Sequence, residues 1–234
     1  MTIQQLNING FKSIHAETIE LGRVNCFIGA NGVGKSNVLE AIGVLGAAAN
    51  GVVDDEALLR RGVRAGLPRL FKSSFASERT PAHIGVGVAS AQGAAYRVSL
   101  LNPLESPEPA WTYKTEVLTD GSEEIVSDGV RNKKNLNPQA GLAALRLVDV
   151  EPTNPAAQLM QALQQYAIYC PNTPTLRGTV LDFLRFAGVV NLGTVRTAEK
   201  FRRWLPTFGR SHWCQMPACG LPSRPHRAVF APHG

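Results

Sequence analysis

Gly29-Ala30-Asn31-Gly32-Val33-Gly34-Lys35-Ser36 fits the pattern G-x-x-x-x-G-K-[S/T] at each of its defined positions. Glycines at both ends let consecutive backbone N–H groups turn inward around a polyphosphate, and Lys35 brings a cation to the terminal phosphates. The Ser36 hydroxyl is then placed as a ligand for Mg²⁺. The stretch therefore predicts a nucleoside triphosphate site, provided that a strand precedes it and a helix follows it.

Both flanks meet that condition. Val24-Asn25-Cys26-Phe27-Ile28 is a short apolar segment after Gly22, and it reads as a buried strand with Cys26 inside it. On the other side Val38, Leu39, Ile42 and Leu45 fall at helical spacing, which predicts a helix from Lys35 to about Ala48. A glycine-rich turn that binds nothing needs neither flank.

Working outward, residues 2–28 read as strands, with Leu6 and Ile8 alternating before Gly10-Phe11 and Ile14, Ile19 and Leu21 after it. Asp54 is a good N-cap for a second helix through Leu58 and Leu59 that stops at Gly62, with Arg60, Arg61 and Arg64 at its end. Between His83 and Val130 the period becomes two. Ile84/Val86/Val88, Tyr96/Val98/Leu100, Trp111/Tyr113, Val117 and Ile125 are separated by turn signals at Gln92-Gly93 and Asp120-Gly121 and by Pro103, Pro107 and Pro109. That is the signature of an antiparallel meander. Asn154–Tyr169 is helical in character, with Leu159, Leu163 and Tyr166 on one face. No internal repeat is present.

At 234 residues the chain has room for one large or two small domains and enough apolar side chains for a core. No basic patch followed by an apolar run opens the chain, and the longest apolar stretch, near Ala41–Val53, is broken by glycines and Asn50, so no membrane span is expected and the location reads as cytoplasmic. Cys26, Cys170, Cys214 and Cys219 make no disulfide framework. The formal charge of +6 invites a nucleic-acid reading, yet residues 1–195 carry 17 basic and 17 acidic side chains. The excess lies in Arg196–Gly234, a Pro-, Arg-, Trp- and His-rich tail that does not match the rest of the chain.

Asn9-Gly10-Phe11-Lys12-Ser13-Ile14, together with Phe27-Ile28 and the loop running on into Asn37-Val38-Leu39-Glu40-Ala41-Ile42, resembles the N-terminal part of RecF/SMC/OLD-like ATPases of the ABC-related AAA group. The G-F-K-S-I opening, the Asn-Gly-x-Gly-Lys-Ser-Asn loop and the Leu-Glu-Ala-Ile helix are together far more specific than the loop alone. The resemblance implies an α/β fold of the P-loop NTPase type, an ABC-ATPase-like first lobe carrying the meander. It also implies ATP with Mg²⁺ as cofactors and adds Asn37 to the nucleotide-binding residues. For intact relatives it implies DNA as a partner in repair, chromosome maintenance or phage defence, and a homodimer formed through ATP.

Such ATPases complete catalysis with a Leu-Ser-Gly-Gly-like segment and an apolar strand ending in Asp-Glu, and neither is legible here. The nearest imitation, Leu145-Arg146-Leu147-Val148-Asp149-Val150-Glu151, has an interrupting arginine and separated acids, and reads instead as an edge segment leading to Pro152 and Pro155. The organisation expected is an incomplete ATPase lobe over 1–195 followed by a disordered or frame-shifted tail over 196–234, with hydrolysis left open.

The other candidates are weaker. Cys214-x₄-Cys219 with His212, His226 and His233 has poor spacing for zinc, and Arg202-Arg203-Trp204 reads as tail before it reads as a nucleic-acid contact. His15 and His83 have no partnered acid or nucleophile nearby in sequence, and Asp54-Asp55-Glu56 reads as a helix start. Two further functional classes remain beside the ATPase: a non-catalytic nucleotide-binding fragment or decayed gene product, and an unrelated phosphate-loop kinase or GTPase.

Overall fold

The computed structural model describes residues 2–64, 66–75, 80–128 and 137–169. Expectations for Cys170, Cys214, Cys219, His212, His226, His233 and the 195/196 boundary lie outside these residues.

Alternating apolar residues pair into one six-stranded antiparallel sheet, so the described fold is mixed α/β. The strands are β1 (Ile3–Phe11), β2 (Ile14–Glu20), β3 (Ile84–Ser90), β4 (Ala95–Leu101), β5 (Thr112–Thr119) and β6 (Glu124–Asp128). Their order is β2-β1-β3-β4-β5-β6, so the N-terminal hairpin joins the meander through the β1–β3 pair. Leu6 and Ile8 on β1 lie opposite Val88 and Val86 on β3, which lie opposite Tyr96 and Val98 on β4. All of these are buried and form the inner face of the sheet.

Helix α1 (Lys35–Ala49) covers that face, touching β1, β3 and β4 on one side and α2 (Asp55–Leu59) and α4 (Pro155–Gln164) on the others. A helix enclosed in this way is apolar around its circumference. This accounts for the unbroken buried run from Glu40 to Ala49, while Leu39, expected on the inner face, stays 37% exposed. Side chains of the C-cap Asn50 and of two distant residues bond carbonyls of the last turn of α1. Asn50 Nδ2 donates to Gly46 O (3.2 Å), Tyr113 Oη to Ala48 O (3.0 Å) and Gln164 Nε2 to Ala49 O (2.9 Å). Gly46 permits the close approach of α4, because a Cβ there would lie 2.7 Å from Leu163 O.

Asp54 caps α2 as expected, its carboxylate accepting from Ala57 N at 2.7 Å. Helix α4 ends at Gln164 rather than running to Tyr169, and Tyr166 packs beyond it, its hydroxyl donating to Leu39 O at 3.1 Å. Burial pushes the Tyr166 phenol up to about 12.

Three further expectations are corrected. A register shift between Ser99 and Leu100 changes the phase of β5, so Glu116 and Leu118 face inward instead of Val117, and Val126 opposite Leu118 is buried instead of Ile125. Residues 145–149 belong to α3 (Leu142–Arg146) and a short 3-10 turn (Leu147–Asp149), neither a catalytic nor an edge strand. Among the described residues no strand pairs with that segment, and Leu145 and Val148 are exposed. Inward-facing Glu116 takes up the α3 start, accepting from Tyr96 Oη (2.8 Å), Leu142 N (2.6 Å) and Ala143 N (3.3 Å).

The third correction concerns Val24–Ile28, which is not a strand; Val24 is 73% and Ile28 89% exposed, and Cys26 is exposed. A strand needs a neighbour to take its backbone hydrogen bonds, and among the described residues all six strands are committed to the antiparallel sheet. The segment is instead turned by Gly22 and Asn25, which exchange hydrogen bonds (Gly22 N to Asn25 Oδ1 2.8 Å, Asn25 Nδ2 to Gly22 O 3.0 Å).

Candidate functional site

Gly29–Gly34 forms a surface loop that leads directly into α1. Gly34 is the helix N-cap at φ +101°, and Gly32 has φ +87°, both in the left-handed region that glycine enters without a Cβ penalty. Neither turn would form readily with another residue. No side chain caps α1, so its first N–H groups and the positive end of its dipole face the loop.

Lys35 bends back over the loop, and Nζ donates to Gly29 O (2.8 Å) and Ala30 O (2.7 Å). Its cation is thus held against the carbonyls at the start of the loop. Ser36 is exposed in the first turn, beside the same amides. Asn31 and Val33 are exposed, and Asn37 is half-buried. The residues expected at the site, Gly29 to Asn37, are thus contiguous along one loop and helix end.

The β1–β2 turn supports the loop from behind. Asn37 Nδ2 donates to Ser13 Oγ at 2.8 Å, and Ser13 Oγ lies 2.6 Å from where a Cβ on Gly34 would stand. Lys12, in that turn at φ +50°, forms an ion pair with Glu40 of α1 and lies 4.8 Å from the Phe71 ring centroid. Arg64 holds the same carboxylate from the other side, Nε to Glu40 Oε1 at 2.5 Å, and its Nη2 is 3.4 Å from Asn37 Oδ1. Burial disfavours the charge on Glu40, but the hydrogen bonds from Arg64 and Lys12 outweigh it and hold the carboxyl below its ordinary range.

Lys12, Ser13, Glu40 and Arg64 were not expected at the site. The signal for Glu40 was present, a carboxylate between apolar Val38, Ala41 and Ile42 on an otherwise buried helix. Arg60 instead pairs with Glu56, and Arg61 packs against Gly46 with Nη1 donating to Ala57 O at 2.8 Å. His15 is exposed and stacks edge-on with Phe75; His83 is exposed just before β3.

Two cavities among the described residues lie away from this loop. One of about 360 Å³ sits on the outer sheet face around Asn7, Gly87 and Arg97, and one of about 570 Å³ lies where Asn50, Asp54, Arg61 and Gln164 meet. The loop residues Gly29–Val33 lie at the surface. Among the described residues there is no group of three or more His, Cys, Asp or Glu suited to a metal ion, and no helix long and apolar enough to cross a membrane.

Residues 1–61 match the family described as AAA ATPase domain. No curated protein matches the chain. Among solved structures, one from work on ATP-driven dimerization and DNA-stimulated activation of SMC ATPases is similar, at 17% identity and a TM-score of 0.37, over 70% of this chain and 99% of the other.

Proposed function

Taking residues 1–61 as the opening of an AAA ATPase domain, we propose that this chain binds ATP with Mg²⁺ on Gly29–Asn37. The observation that carries the reading is the uncapped start of α1 behind Gly32 and Gly34, with Lys35 already folded over the loop. In this reading the loop amides and the helix dipole take the β-phosphate, and Lys35 exchanges two carbonyls for phosphate oxygens. The Ser36 hydroxyl would be the protein ligand for Mg²⁺, which would neutralise phosphate charge.

Binding and hydrolysis separate here. Hydrolysis needs a group that positions water at the γ-phosphate. Glu40, the carboxylate beside Asn37, is committed to Lys12 and Arg64 and is not free for that task. The prediction for the chain alone is ATP binding with slow turnover. A titration of Mg·ATP into the wild type and Lys35→Ala tests the assignment, since unchanged affinity in the variant would remove Lys35 from the site.

A second reading, a nucleotide-binding protein whose role is to engage a partner, is favoured by the exposed Val24, Cys26 and Ile28. DNA is the partner that the resemblance to RecF/SMC/OLD-like ATPases brings forward, with a role in repair, chromosome maintenance or phage defence, and a homodimer through ATP is the corresponding assembly. ATP-dependent mobility shift of duplex DNA and light scattering with and without ATP test the two separately.

A further inference from the structure

The nucleotide loop rests on the β1–β2 turn through one hydroxyl, and that turn is tied to α1 by one buried carboxylate. Glu40 is 3% exposed and lies one helical turn beyond Ser36, on the same face of α1. It holds Lys12 on one side and Arg64 on the other. Lys12 is the described non-glycine residue at positive φ, a conformation that persists only where the surroundings enforce it. The ion pair to Glu40, the ring faces of Phe11 and Phe71 at 5.5 and 4.8 Å, and the Lys12 N to Phe71 O bond at 2.9 Å supply that enforcement. With Lys12 fixed, the next residue, Ser13, is placed against Gly34 and accepts from Asn37.

We propose that Glu40 is a positioning residue of the nucleotide site: through Lys12 it sets Ser13 against Gly34 and Asn37, and through Arg64 it steadies the Asn37 amide, so the phosphate loop is held in its binding shape before ligand arrives. The function of the clamp rests on the ATP-binding reading above; its effect on the loop does not. Glu40 touches no phosphate in this account. Removing its charge frees Lys12 to leave the left-handed conformation, and the Ser13 hydroxyl then leaves the loop.

The test is a double-variant cycle on the full chain, read by Mg·ATP affinity, thermal midpoint and amide exchange of residues 32–37 without nucleotide. Glu40→Gln is expected to weaken Mg·ATP on the order of tenfold and to speed exchange of those amides. Ser13→Ala is expected to do both while leaving the midpoint in place, because Ser13 is exposed. Combined, the two substitutions should be no worse for affinity than Glu40→Gln alone, since they break one chain of contacts. Multiplying effects, or a Ser13→Ala protein with wild-type affinity and exchange, would overturn the proposal. If Glu40→Gln does not fold, Lys12→Gln with Ser13→Ala runs the same cycle, because Lys12 stands between Glu40 and Ser13. If the wild type itself binds no ATP, the nucleotide reading fails while the exchange rates still decide whether Glu40 orders the loop.

Discussion

Gly32 and Gly34 both sit in the left-handed region, yet the structure assigns them different costs when a Cβ is added. At Gly32 (φ +87°) a Cβ would meet nothing within 4 Å, so Gly32→Ala bears only the backbone penalty, about 1 kcal/mol. At Gly34 (φ +101°) the Cβ would also lie 2.6 Å from Ser13 Oγ, where ordinary contact begins near 3.4 Å. Either the hydroxyl or the helix start must then move by most of an ångström. Overpacking of that kind adds about 1–3 kcal/mol, so Gly34→Ala should cost about 2–4 kcal/mol in total. Urea unfolding of both variants measures the difference, and the construction of a Gly34→Ala, Ser13→Gly double variant isolates its cause. Removal of the Ser13 side chain should return most of the excess and leave a protein close to Gly32→Ala. Equal costs for the two single variants, or no recovery in the double, would refute the claim that the β1–β2 turn abuts the loop.

Other outcomes follow from single contacts. Asp54→Ala should lose the cap on Ala57 N, lowering stability by about 1 kcal/mol and the thermal midpoint by roughly 2–4 °C. Glu116→Leu, read by chemical denaturation, should destabilise by about 1–3 kcal/mol or more, since Leu142 N and the Tyr96 hydroxyl lose their buried acceptor. The lowered carboxyl of Glu40 contributes stability that is present above its unfolded value of 4.5 and is lost as pH falls through the lower folded value. Acid titration of wild type against Glu40→Gln should therefore show the gap between them closing below pH 4.5. The raised phenol of Tyr166 acts at the other end, stabilising fully below pH 10 and losing its contribution as pH rises towards about 12, which Tyr166→Phe should abolish in an alkaline melt.

Local signals carried most of the architecture. Helix α1 begins at Lys35, as the phosphate-loop pattern requires, and the alternation of Ile84/Val86/Val88 and Tyr96/Val98/Leu100 became β3 and β4 in register. What local signals could not carry was partnership. Val24–Ile28 has the composition of a buried strand, but pairing depends on a neighbour distant in sequence; among the described residues none pairs with it, and Gly22 and Asn25 turn the segment. The β5 bulge has the same character, because one extra residue, Lys114, opposite Ser99/Leu100 changes the face of the β5 side chains that follow it without a distinctive residue to announce it. The site divides likewise. Gly29–Asn37 are contiguous and legible, whereas Lys12 and Arg64 reach Glu40 from 28 and 24 residues away.

The most direct test of the account is amide exchange of the full chain with and without Mg·ATP. Slowed exchange confined to residues 32–38 and the Lys12–Ser13 turn is the predicted result, because the loop amides close on phosphate and the turn behind them tightens. Unchanged exchange in that stretch at saturating ATP, or protection centred on another surface, would contradict it.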